Sequence, residues 1–146
     1  MVRLPWQEAN KFCQNLDFAG HNDWRLPTLE ELADLSVKIQ FINGLQSPHV
    51  PIKLYPTLYW SGTHCGENTH SYTWHVNVST GGINYVYNIL ALSFVPVCGN
   101  VYVDLDLPNN HLIFEDLGNG TVKDNQTSLI WVKNIEKMFR EGIFNA

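Results

Sequence analysis

Between positions 72 and 89 apolar residues recur at every second place: Tyr72, Trp74, Val76 and Val78, then, after Gly81-Gly82, Ile83, Tyr85, Tyr87 and Ile89. Only an extended chain sends alternate side chains to one face, and a Gly-Gly step supplies a tight turn. Residues 72–89 therefore predict a β-hairpin, which commits the middle of the chain to an antiparallel sheet.

The residues before it follow a different period. Pro5 suits the first turn of a helix, and Trp6, Ala9, Cys13 and Leu16 recur at helical spacing up to a break at Ala19-Gly20. Thr28 and Glu31 form a capping-box pattern, behind which Leu29, Leu32 and Leu35 make the apolar stripe of a second helix. Gly44, Pro48, Pro51 and Pro56 exclude a central strand from residues 42–57 and leave a long loop. A further strand is expected over residues 90–97. Short strands follow over 111–133, separated by Gly118-Asn119-Gly120 and Asn125-Gln126. Helices followed by strands give an α+β class, and 146 residues make one domain, 1–146.

Charge and composition narrow the function. Nine Lys and Arg against fourteen Asp and Glu give a net charge of -5 without a basic cluster, which argues against nucleic acid. The longest apolar stretch, residues 89–97, is too short to span a bilayer, so no membrane insertion is expected. Met1 to Trp6 lack the apolar core of a signal peptide. Cys13, Cys65 and Cys98 allow at most one intrachain disulfide.

No nucleophile elbow, zinc-protease helix or phosphate loop is present, and no enzyme activity is expected. His64, Cys65, His70 and His75 include zinc-type ligands but match no standard zinc spacing. Asp104, Asp106, Asp116 and Asp124 invite a calcium reading, but they fit a strand edge and hairpin turns better than a converging oxygen cage. Neither a metal nor another cofactor is expected, and the domain should fold without one.

The string Asp23-Trp24-Arg25-Leu26-Pro27-Thr28 with Glu30-Glu31-Leu32 resembles the signature of the Lcl C-terminal domain family, named after a bacterial collagen-like adhesin. Trp6, Ala9, Phe12-Cys13 and Leu16 resemble its preceding helix. Tyr59-Trp60-Ser61-Gly62-Thr63, then Trp74 with Gly81-Gly82 and Pro96-Val97-Cys98-Gly99, resemble its later strands. The likeness makes residues 5–99 the domain body. It implies a C-type-lectin-like fold, two helices packed on a small twisted, mostly antiparallel sheet with long loops, in an extracellular or periplasmic envelope protein.

The sequence departs from the family twice. Cys98 stands where the family usually has arginine, so that residue's ion pair is missing. Residues 114–131, within the segment 111–133, resemble the hairpin that normally opens a family domain, yet here they come last. Either the segment was cut from a tandem array or the domain is permuted. The hairpin can then close on its own sheet or exchange into a domain-swapped homo-oligomer.

The resemblance implies a binding or adhesion module for a glycan or protein surface. The acidic balance favours neutral sugars or proteins over the sulfated glycans associated with the named adhesin. Trp24, Arg25, Trp60, Trp74 and His75 are the candidate ligand contacts, since indoles stack on sugar faces and a guanidinium donates in a planar fork. A Trp-Arg-Leu-Pro string between helices equally suits a core anchor that satisfies loop carbonyls. Two rival roles are a structural assembly or spacer repeat and an enzyme related to formylglycine-generating enzymes.

Overall fold

Pro5 caps α1 (Trp6–Asn15) from outside the helix, and Ala9 and Cys13 turn its buried face inward. Thr28 caps α2 (Leu29–Phe41) through the full capping box, its hydroxyl accepting from the Glu31 backbone N–H at 3.1 Å while Glu31 accepts from the Thr28 N–H at 2.8 Å. Residues 42–57 form no strand or helix but bury Ile42, Val50 and Ile52 under the domain. This computed structural model describes residues 1–66, 71–100 and 113–142.

The strands form two antiparallel sheets. β1 (Leu58–His64), β2 (Tyr72–Asn77) and β3 (Ile83–Tyr87) lie in that order in the first. The second runs β4-β7-β6-β5, from β4 (Val97–Cys98), β5 (Phe114–Asp116), β6 (Thr121–Asp124) and β7 (Ile130–Val132). A final helix, α3 (Ile135–Glu141), is capped by the Asn134 side chain and ends at Gly142 in the left-handed region.

The α+β class holds, with three helices and two antiparallel sheets among the described residues. Three details differ from the sequence reading. The expected strand over 90–97 reduces to single bridges, Leu92 with Leu4 and Ser93 with Tyr59, followed by the two residues of β4. Pro96, which has no N–H to donate, immediately precedes β4. There are two sheets rather than one, and α3 was not anticipated. The cysteines are all free, Cys13 and Cys98 buried and Cys65 half-buried.

The two cores lie on either side of the first sheet. One joins Leu32, Leu35 and Ile39 of α2 to Tyr59, Val76, Val97, Val122 and Trp131; the other joins Ala9 and Cys13 of α1 to Trp24, Trp60, Phe94 and Val132. Late strands thus share cores with early helices. β7 pairs with β4 inside one chain, Val97 opposite Trp131 and Cys98 opposite Ile130.

Candidate binding surface

The hairpin predicted over 72–89 forms in register, with Tyr72 opposite Tyr87 and Trp74 opposite Tyr85. These four residues occupy one face, and α2 covers that face only at its other end. There Ser36 Oγ donates to the Val78 carbonyl at 3.2 Å, and Val76 and Val78 are buried. Past the helix the aromatic residues stay open: Tyr85 is 45% exposed, Tyr87 is 54% exposed, and Tyr72 and Trp74 are partly exposed.

Their rings form a continuous ladder. Tyr72 and Tyr87 lie 4.4 Å apart between centroids at 33°, Trp74 and Tyr85 5.1 Å apart at 79°, and Tyr72 and Tyr85 make the diagonal contact at 5.9 Å. Tilted and edge-on pairs of this kind lock the rings in place, each cross-strand pair contributing about 0.2–1 kcal/mol. The hydrogen bond with Tyr87 raises the Tyr72 phenol above its ordinary pKa, so the Tyr72 hydroxyl stays neutral and able to donate and accept near neutral pH. Residues 68–103 include no Asp, Glu, Lys or Arg. The ladder is a rigid, aromatic, hydroxyl-bearing and uncharged surface.

The five residues singled out from sequence do not converge. Trp24 is buried, and its indole N–H donates to the carbonyls of Phe18 and His21, pinning the turn before α2. Trp60 is fully buried and donates to the Leu4 carbonyl at 2.8 Å. Arg25 grips both carboxylate oxygens of Glu31 at 2.6 and 2.8 Å and the Gly99 carbonyl at 2.9 Å, tying α2 to the end of β4. Burial pushes the Glu31 carboxyl up, but the hydrogen bonds from Arg25 and Thr28 outweigh it and hold it below its usual range. Only Trp74 joins the ladder.

His75 points to the opposite face, where it is 5% exposed and its Nδ1 has no hydrogen-bond partner among the described residues. Burial lowers its pKa. The folded value lies below the unfolded one of about 6.5, so protonation favours the unfolded chain. The stability that neutral His75 contributes is complete above about pH 6.5 and is lost as pH falls through the depressed folded value. Urea midpoints should therefore fall on acidification below about pH 6.5, and fall less in His75→Gln; parallel profiles for the two proteins would contradict this.

The other candidates are also dispersed. His64 donates to or accepts from Thr73 Oγ1 through Nδ1 at 2.9 Å and packs on Trp6, while His70 lies outside the described residues. Asp116 pairs with Lys133, and Asp124 with Lys38; Asp104 and Asp106 lie outside the described residues. A separate cleft of about 590 Å³ is lined by Lys53, Lys133 and Lys137 with Asn119 and Asn134, but Asp116 and Glu141 offset two of its lysines.

Tyr72, Tyr85 and Tyr87 were legible as strand residues but not as a surface. Alternation shows which side chains share a face, not whether a helix covers that face. No described helix is long and apolar enough to cross a membrane.

None of the curated proteins matches the chain. The family model for the Lcl C-terminal domain matches residues 2–98, which run from the entry to α1 through the ladder to β4. The chain belongs to the Lcl C-terminal domain family.

Proposed function

We propose that this chain is a non-catalytic binding module of an extracellular or envelope surface, and that its aromatic ladder takes a neutral saccharide. Family membership supports the surface setting. The observation that carries the ligand class is the paired ladder itself: four aromatic rings held on one open sheet face, within a stretch lacking Asp, Glu, Lys and Arg. Apolar sugar faces stack on such rings, and the tyrosine hydroxyls supply neutral hydrogen bonds to ring hydroxyls. A sulfated glycan would require cationic donors, which the ladder lacks.

Exposed Ile83, Ile89 and Leu90 flank the same hairpin and favour, as a second reading, an assembly contact with another protein. A glycan array separates the two. Neutral glycans should bind the native chain, and Tyr85→Ala, which removes a half-exposed ring, should weaken binding about tenfold or more while the melting temperature stays within a few degrees. A uniformly negative array for a folded chain would transfer the ladder to the assembly reading. Binding restricted to sulfated glycans and lost in Lys133→Ala or Lys137→Ala would move the site to the lysine cleft.

A further inference from the structure

The turn before α2 and the end of β4 bring together three side chains far apart in sequence. His21, Asp23 and Cys98 each present one ligand-type atom, and these atoms lie within 4.8 Å of one another. We propose that they form a zinc site, with His21 nitrogen, an Asp23 carboxylate oxygen and Cys98 Sγ as three ligands and a fourth position open to water. Nothing in the saccharide reading depends on it, because the ladder is built from β2 and β3.

The donor set suits this ion. Zinc is a borderline-soft cation that accepts thiolate, imidazole and carboxylate together, whereas calcium and magnesium require oxygen ligands. Tetrahedral coordination at normal bond lengths puts ligand atoms roughly 3.3–3.8 Å apart. The trio must therefore close by about 1 Å, which side-chain rotation can supply. Asp23 is exposed and His21 half-exposed, so both can move toward Cys98, which stays fixed and buried at the bottom.

The backbone is already positioned. Phe18 and His21 exchange two backbone hydrogen bonds of 2.9 Å across a turn with Ala19 and Gly20 at positive φ. The Trp24 indole N–H donates to the His21 carbonyl at 3.1 Å. Arg25 and Val97 exchange two backbone bonds of 2.9 Å, which fixes the Asp23 loop beside Cys98. Such preorganisation lowers the ordering cost of binding. The Cys98 thiol must lose its proton to solvent when the metal binds, so uptake releases one proton from that residue. The cores include none of the ligands except Cys98, so the apo domain folds and zinc adds to an existing fold.

The test uses the full chain, reduced and freed of metal, titrated with Zn²⁺ by calorimetry and with Co²⁺ by absorption. One equivalent of zinc should bind, and Co²⁺ should give a near-ultraviolet thiolate-to-metal band. His21→Gln and Asp23→Asn, both on the surface, should weaken zinc binding by at least about tenfold. Cys98→Ser should abolish the cobalt band, and Cys65→Ser should leave band and affinity unchanged. Absence of saturable binding, or binding that Cys65→Ser removes and His21→Gln leaves intact, would overturn the proposal.

Discussion

A chain ending at Asn100 should fail to fold, although it retains the whole span, 2–98, that matches the family. It would lose Ile113, Phe114, Val122, Leu129 and Trp131, all buried in the same core as α2 and β2. Burying each such side chain stabilises by about 1.5–3 kcal/mol, so their joint loss is comparable with the about 5–15 kcal/mol that holds a domain together. It would also strip β7 from β4 and leave an open sheet edge over Val97 and Cys98, a template for aggregation. Circular dichroism and thermal melting of the shortened chain check this. A soluble monomer with the native melting temperature would mean that residues 113–142 stand outside the cooperative unit.

Lys38→Ala should cost about 3–5 kcal/mol, the usual range for removing one partner of a buried ion pair. Lys38 Nζ lies 2.6 Å from Asp124 Oδ2, and both residues are buried, 6% and 1% exposed. The pair joins α2 to β6 across 86 positions of sequence. Asp124 Oδ1 already accepts from the backbone N–H groups of Gln126 and Thr127 at 2.8 and 3.1 Å, so without the lysine its charge keeps, among the described residues, those neutral donors. Asp34, the second partner of Lys38, is half-exposed and loses less. Adding Asp124→Asn to Lys38→Met should recover part of the loss, since it removes the stranded charge while retaining the lysine stem. Chemical denaturation that gave under about 1 kcal/mol for Lys38→Ala would describe an ordinary surface pair instead.

These two expectations rest on contacts that sequence reading reached unequally. Local signals carried the early elements: Thr28 and Glu31 marked the start of α2, and alternation around Gly81-Gly82 marked the hairpin, whose turn closes at Asn77 and Gly82 rather than on the two glycines. The asparagine cap and closing glycine of α3 were equally local, but a seven-residue helix burying only Ile135 and Met138 makes a weak stripe. The run over 90–97 looked like a strand because buried strands and buried irregular segments are both continuously apolar. Phe94 and Val95 are indeed buried without belonging to one.

The functional surfaces were harder to read for a different reason. Whether Tyr85 faces solvent or a helix depends on where α2 stops, and that is decided by packing at Val76 and Val78. His21, Asp23 and Cys98 share a corner only because the Arg25–Val97 bridge joins the two loops. The sequence did flag Cys98 as unusual for the family. It did not indicate which side chains Cys98 would meet.

Chemical-shift mapping of the side-chain ring protons during titration with a neutral oligosaccharide from the array tests the central claim most directly. The ladder predicts saturable shifts at Tyr72, Trp74, Tyr85 and Tyr87, unchanged by added salt because no Asp, Glu, Lys or Arg lies in that stretch. Buried Trp24 and Trp60 should stay still. Shifts concentrated around Lys53, Lys133 and Lys137, or a ladder that no saccharide perturbs, would contradict it.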